Sequence, residues 1–151
     1  MKKIVKTTYR LEDRVGLGLF TSDDSGLWES EWDLESVILE NMGNILTINT
    51  EFSWDEEKSR KHFCAFNSFS HMIEIIPLPY LKRLEKLGFK IVKVKGKMLQ
   101  GKTQIFFEPH KVRKDHVPFS KIEMRLARKT AMKELKKEFQ SLSVSDYIIT
   151  D

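Results

Sequence analysis

The segment "GFKIVKVKGKMLQGKTQIFFEP", residues 88–109, carries the clearest strand signals in the chain. Apolar and basic residues alternate between Phe89 and Lys95, which is typical of a strand with one buried face. A second β-prone run, residues 105–107, follows and is closed by Pro109. The segment therefore predicts two neighbouring strands joined by a hairpin connection.

Between these strands, residues 96–103 read "GKMLQGKT" and match the phosphate-loop pattern G-x-x-x-x-G-K-[ST]. In a nucleotide-binding loop, Lys102 would contact the terminal phosphates and Thr103 would bind magnesium. Such a loop needs a helix directly after Thr103, whereas the sequence there predicts a strand. The residues between the two glycines are also bulky. We therefore interpret the match as a hairpin connection and expect no ATP or GTP site.

Length and composition predict one compact cytosolic domain over residues 1–151. The chain is 40% apolar, which is enough for one sizeable core. No apolar run approaches the roughly 18 residues of a membrane helix, and the N-terminus lacks a signal-peptide core. The single cysteine, Cys64, is expected to be a small buried hydrophobe. The four histidines lack metal-ligand spacing, so we expect no metal site.

The net charge of +4 is distributed unevenly along the chain. Residues 1–60 contain 7 Lys and Arg against 13 Asp and Glu, whereas residues 61–151 contain 19 against 9. Such a division lets the second part present a basic surface to an anionic partner. A solvated surface with uneven charge is the alternative.

The remaining elements follow from alternation, caps and breakers. We predict strands at residues 3–12 and 44–52, a loop at 13–26, and helices at 34–42 after Asp33, at 69–76 after Asn67 or Ser68, and at 80–87. Ser120 and Glu123 form a capping box for a long helix over about 120–140, and the tail 141–151 is either a short final strand or frayed. The pattern predicts an α+β domain with a mixed or antiparallel sheet, about four helical segments and a long basic C-terminal helix.

The last helix is predicted to be basic on one side and apolar on the other. The apolar side has Met124, Ala127, Ala131, Leu135 and Phe139, and the basic side has Arg125, Lys129, Lys133, Lys136 and Lys137. Like charges at this spacing repel, which suggests nucleic acid or an acidic protein face as a partner. Lys111, Arg113 and Lys114 lie just upstream and would extend the surface. Ile122 and Leu126 within the basic side favour a protein contact, and a merely solvated face remains the alternative.

The stretch "TYRLEDRVGLGLF", residues 8–20, suggests an anion site. Tyr9 and Arg10 are neighbours in a predicted strand and therefore point to opposite faces. Arg10 could recognise phosphate in a bidentate manner, and the pair Gly16 and Gly18 would let backbone N–H groups approach an anion. The alternative is a structural Arg–Glu pair beside an ordinary glycine turn.

Four pieces of the sequence, "YRLED-VGLGLF", "CAFNSFSHMIEII", "LGFKIVKVKG" and "TQIFFEP", resemble a family of small phage and prophage proteins. The resemblance covers residues 7–20 and 63–108 in broken pieces. The order of the pieces is also similar to the ADP-ribosyltransferase fold. It implies an accessory protein acting in the cytoplasm of an infected bacterium, in host takeover or counter-defence, that binds NAD, ADP-ribose or a related signalling nucleotide.

The same resemblance implies roles for individual residues. Arg10 would hold the phosphates, Ser68 or Ser70 would shape the nicotinamide pocket, and Tyr9 and Gln104 would lie nearby. Gln104 and Phe106 stand where a Gln/Glu-x-Glu element is expected, and Glu108, two residues further on, would be the catalytic residue that acts on the ribose in an ADP-ribosyl transfer. The rival hypothesis is a non-enzymatic binding module that holds nucleic acid or a host protein through the basic helix.

Overall fold

The computed structural model describes residues 1–18 and 31–149, and side chains as far as residue 142. The chain divides into two compact units, Met1–Val117 and Pro118–Asp151, each of which is described by itself. The second half of the predicted loop, residues 19–26, lies outside the described residues.

The first unit contains all of the described strands. Its elements are β1 (Lys2–Glu12), α1 (Trp32–Met42), α2 (Ile48–Glu51), α3 (Glu56–Lys61), β2 (Phe63–Ala65), α4 (Phe69–Ile75), α5 (Leu78–Lys86), β3 (Lys90–Gln100), β4 (Ile105–Phe107), a 3-10 turn (Pro109–Lys111) and β5 (Val112–Val117). The second unit consists of α6 (Phe119–Ile149).

Strand β3 is the centre of an antiparallel sheet. Along one edge it pairs with the whole of β1, from Lys2 opposite Gln100 to Glu12 opposite Lys90. Along the other edge it pairs first with β5 and then, at its end, with β4, which in turn pairs with β2. The N–H of Phe66 donates to the carbonyl of Tyr9 at 3.0 Å, which brings the residue after β2 against the outer edge of β1.

Directly opposed residues of antiparallel strands share a face of the sheet, so the strand register assigns each residue to one face. Each face has its own apolar core. The even-numbered residues of β3 supply Val92, Val94 and Met98 to a cluster with residues of β2 and β4. On the odd-numbered face, Tyr9 meets the ring of Phe69 edge-on at 5.4 Å between centroids. Helix α4 contacts β1 there, and α5 contacts β3.

Local signals placed several helix ends correctly. The Ser68 hydroxyl accepts from the N–H of His71 and caps α4, as predicted. Prolines 77 and 79 lie at the start of α5, where the missing N–H groups have no helical partner anyway. Helix α1 ends at Gly43 as predicted but begins at Trp32, so Asp33 belongs to its first turn and is not the cap.

Two sequence-based expectations need correction, and one strand was not predicted. Residues 44–52 do not form a strand, because the Thr47 hydroxyl caps the single turn α2. Strand β5 was not predicted; it runs through the predicted basic patch around Lys111–Lys114 and is held by its pairing with β3. Of the two alternatives for the tail, the short final strand is wrong, since α6 continues through residues 141–149.

The α+β class, the antiparallel sheet and the long C-terminal helix are confirmed. The structure has six α-helices in its described residues, more than the four or so segments predicted, because the short α2 and α3 were not recognised. One domain over residues 1–151 stays a prediction. None of the described helices has the length and apolar character needed to cross a membrane.

Candidate functional site

The phosphate-loop match begins in β3, which contains its residues 96–100, and its last three residues, 101–103, lie in the turn to β4. The N–H of Gly101 donates to the carbonyl of Gln104 at 2.9 Å and closes the turn. The carboxylate of Glu51 accepts from the N–H groups of Lys102 and Thr103 at 2.7 and 3.0 Å, and from the Thr103 hydroxyl at 3.0 Å. The donors that a nucleotide loop would turn toward phosphate therefore hold a carboxylate of the protein itself, and the hairpin interpretation is confirmed.

We expect ATP or GTP with magnesium to leave the melting temperature unchanged. Lys102→Ala should also be silent, because only the backbone N–H of Lys102 contacts Glu51. Glu51→Ala is the contrasting variant and should melt lower, since it leaves three donors of the turn without their acceptor. Stabilisation by ATP that disappears in Lys102→Ala would contradict the assignment.

Arg10 is buried, with 4% of its surface exposed, and its guanidinium is surrounded by protein acceptors. Nε donates to the Glu12 carboxylate at 3.0 Å, Nη1 to the carbonyl of Cys64 at 2.7 Å, and Nη2 to the carbonyl of Gly16 at 3.3 Å. A Cβ on Gly18 would lie only 3.2 Å from the same group. The glycine loop thus covers Arg10, and the structural Arg–Glu alternative describes what the structure shows.

A second cation completes this buried cluster. The Lys114 ammonium donates to the same carboxylate oxygen of Glu12, at 2.6 Å. The guanidinium of Arg10 lies over the ring of Phe63 at 4.9 Å, and that of Phe107 is 5.7 Å away. Two cations thus share one carboxylate above two aromatic rings. The negative faces of the rings attract the cations and add to the stability of the cluster.

The other residues of the predicted nucleotide pocket have separate structural contacts. Tyr9 is buried on the face opposite Arg10, as the alternation predicted. Ser68 caps α4. The amide of Gln104 donates to the carbonyl of Leu46 at 2.8 Å. Ser70 is the second residue of α4.

Glu108, the predicted catalytic residue, is an ion-paired carboxylate. Its oxygens lie 2.5 Å from the Lys111 ammonium and 3.8 Å from that of Lys61. The hydrogen bond from Lys111 is the main reason that the pKa of Glu108 lies below its ordinary value. Both carboxylate oxygens of Glu108 are thus engaged by lysines of the protein itself, and its catalytic role stays a prediction. In the described part of the chain, no three metal-ligating side chains come together.

Exposed cations are grouped on one surface of the first unit. It is the part of the odd-numbered face of the sheet that lies away from α4 and α5. We call it the lysine face; its cations are Lys3 of β1, Lys93, Lys95 and Lys97 of β3, and Arg113 of β5. All five are exposed. Alternate residues of a strand lie about 6.7 Å apart and neighbouring strands about 4.8 Å apart, and Lys3 is in register with Leu99, so the cations occupy roughly 20 by 10 Å.

The charges of the lysine face are poorly compensated. Lys95 stands directly opposite Arg113, and like charges so placed destabilise a sheet. Among the described residues of β1, β3 and β5, the lysine face has one carboxylate, Asp115, which lies 3.3 Å from Arg113. Among the contacts of the described residues, the four lysines take part in no ion pair.

An open groove of about 1230 Å³ continues from this face at the ends of β1 and β3. The two surfaces share Lys3, Val5 and Lys97. The groove adds Lys58, Lys61 and Lys111, beside an apolar floor that includes Phe52 and Phe106. Glu51 and Glu108 also line it, so it is less positive than the lysine face.

The predicted basic residues are divided between different environments. Lys111 is ion-paired with Glu108 and Lys114 with Glu12, whereas Arg113 belongs to the lysine face and is ion-paired there with Asp115. The predicted basic side of α6 is exposed, and it consists of Arg125, Lys129, Lys133, Lys136 and Lys137. Ile122, which we expected to serve as a contact residue on that side, is buried.

The lysine face was missed as a site, although part of its signal is in the sequence. The alternation from Phe89 to Lys95 places lysines on the solvent side of β3, but their grouping with Lys3 and Arg113 depends on the strand register. No protein-family model, curated protein or solved structure matches this chain.

Proposed function

We propose that the protein is a non-enzymatic binding module that holds the phosphate backbone of a nucleic acid on the lysine face. The observation that carries the proposal is Lys95 opposite Arg113, in a group of five cations with one carboxylate. Such a grouping costs stability, and binding of a polyanion offsets that cost by neutralising the charges and releasing counterions.

The chemistry of the lysine face favours binding without base recognition. Between its cations lie Val5 and Thr7, which are exposed and small. Tyr9, directly opposite Lys93, is buried, and the described side chains of this face include no exposed aromatic ring on which a base could stack and no Asn or Gln that could read a base edge. Contacts to phosphate position a nucleic acid but carry no sequence information. We therefore infer sequence-independent binding.

Binding of NAD, ADP-ribose or a related nucleotide, and the phage setting, stay predictions. A dinucleotide held by Arg10 would have to displace Glu12 or the Cys64 carbonyl from a buried guanidinium. The exposed lysines need no such exchange. The geometry therefore favours polyanion binding, which was the rival hypothesis from the sequence. The binding surface differs, however: the sequence suggested the basic helix, whereas the structure favours the lysine face of the sheet.

The test compares two triple variants that remove the same charge. Lys93→Gln, Lys95→Gln and Lys97→Gln empty the centre of the lysine face, whereas Lys129→Gln, Lys133→Gln and Lys136→Gln change α6. Fluorescence anisotropy with a labelled duplex of arbitrary sequence is measured over a salt series. The parent should bind with strong salt dependence, and the sheet variant should weaken at least about tenfold, with a log–log slope smaller by about 2.7, or 0.9 per contact.

The helix variant should bind like the parent, and the sheet variant should melt no lower, because it loses the repulsion between Lys95 and Arg113. Failure of the parent to bind at low salt would refute the proposal. Loss of affinity in the helix variant alone would move the site to α6. A rise in melting temperature with millimolar ADP-ribose, without duplex binding, would instead support the nucleotide prediction.

A further inference from the structure

Helix α6 exposes a row of large apolar side chains over residues 132–142, about 15 Å of its length. Met132, Leu135, Phe139 and Leu142 are each about half or more exposed, at 57%, 49%, 64% and 59%. At a rise of about 1.5 Å per residue, the 31 residues of α6 span about 46 Å. Contiguous apolar surface of this kind marks an interaction site, whereas single exposed residues need no explanation.

The spacing of these four side chains indicates the kind of contact. Steps of three, four and three residues place them at the a and d positions of heptads, with Met132 and Phe139 at a. This is a narrow seam suited to one partner helix. A helix lying on a membrane presents a wider apolar arc, and here Lys133, Lys136 and Lys137 interrupt any such arc. We call the four residues the apolar seam.

The charges beside the apolar seam identify the partner's chemistry. Between residues 119 and 142 there are seven Lys and Arg against three Glu. The e positions of the heptads are Lys129 and Lys136, and the g positions are Ala131 and Glu138. A surface of this charge is complemented by Glu and Asp at the flanking positions of the partner helix.

A second copy of α6 lacks that complementarity. In an antiparallel pair, the e positions of the two copies would bring lysine against lysine. In a parallel pair, Lys136 would face Ala131 of the other copy, with no opposite charge. Either arrangement also brings together two basic helices. Self-association is therefore disfavoured relative to an acidic partner.

We propose that the apolar seam of α6 docks an acidic amphipathic helix of a partner protein, with its own apolar seam and with carboxylates beside it. This inference is independent of nucleic acid binding by the lysine face, since it concerns different residues and a different kind of ligand. Apolar contacts between the seams would supply affinity, and the lysines would select the charge of the partner.

The experiment uses the full chain and two synthetic three-heptad peptides. Both have leucine at a and d; one has glutamate at e and g, the other has lysine there. We expect the chain to bind the glutamate peptide at least about tenfold more tightly. Lys129→Glu with Lys136→Glu should reverse the preference, and Leu135→Ser with Phe139→Ser should abolish binding of both peptides.

The matched control is Leu39→Ser, because Leu39 of α1 is 48% exposed, almost the same as Leu135. It should leave peptide binding unchanged. Equal affinity for the two peptides would overturn the proposal. Sedimentation as a dimer that Leu135→Ser dissociates would also overturn it and would identify a second copy as the partner. Binding to phosphatidylglycerol vesicles without binding of either peptide would likewise overturn it and would identify a membrane as the partner.

Discussion

Replacing Glu12 with glutamine is expected to lower the free energy of unfolding by about 3–5 kcal/mol, the range for removing one partner of a buried ion pair. Glutamine has nearly the same shape, so the change removes the charge and little else. It leaves the Arg10 guanidinium and the Lys114 ammonium close together without the carboxylate they share at 3.0 and 2.6 Å. Lys114 is 30% exposed and can turn to water, whereas Arg10 cannot, so most of the loss comes from Arg10.

Urea unfolding of the parent and the variant measures this loss. The matched control is Glu56→Gln, which makes the same substitution in an ion pair with Arg60 whose two side chains are 83% and 81% exposed. Exposed pairs contribute little, so this control should change the stability only slightly. If both substitutions have the same small effect, the cluster is not desolvated as the structure indicates.

The buried cluster also changes how the nucleotide prediction has to be tested. If Arg10 holds the phosphates of a nucleotide, Arg10→Ala is the obvious variant for removing that ligand. In the structure, that substitution leaves Glu12 with Lys114 alone and the Cys64 carbonyl without its donor. Loss of ligand in Arg10→Ala could then reflect loss of fold. Nucleotide binding is therefore tested first on the parent chain.

The parts of the fold that the sequence predicts are those fixed by local rules. Alternation identifies β1 and β3, and the Ser68 cap and the stop at Gly43 mark helix ends. Strand β5 could not be found in this way, because four of its six residues are exposed and its position depends on main-chain pairing with β3. The role of Glu51 could not be found either. Glu51 lies in the helical turn α2, and its carboxylate accepts from N–H groups of a hairpin some fifty residues further along the chain.

The candidate site shows the same limit. The sequence leaves two roles open for Arg10, and the choice is made by the carbonyl of Cys64 and the ring of Phe63, which are distant in the chain. The lysines of β3 can be placed on one side of a strand from the sequence alone. Their meeting with Lys3 and Arg113 follows only from the register of three strands.

That register depends on Gly96, and we expect Gly96→Ala to lower the free energy of unfolding by about 2–6 kcal/mol. Gly96 has φ of +149°, which costs a residue with a side chain about 1–3 kcal/mol. A Cβ there would lie 2.6 Å from the carbonyl oxygen of Lys111 and 3.0 Å from the Cα of Val112. Overpacking of this kind costs about 1–3 kcal/mol more, and the obstructing atoms are backbone that cannot turn away.

Gly43→Ala is the control that separates the cost of the steric contact at position 96 from the cost of positive φ. Gly43 also has positive φ, +53°, but a Cβ there would meet nothing within 4 Å. The two variants are compared by urea unfolding, and the excess loss in Gly96→Ala should be at least about 1 kcal/mol, the overpacking contribution. Because relief of the clash requires β5 to move away from β3, the same variant should displace Arg113 from the lysine face and weaken duplex binding. If Gly96→Ala costs no more than Gly43→Ala, then β5 does not lie as close to β3 as the structure places it, and the lysine face loses its third strand.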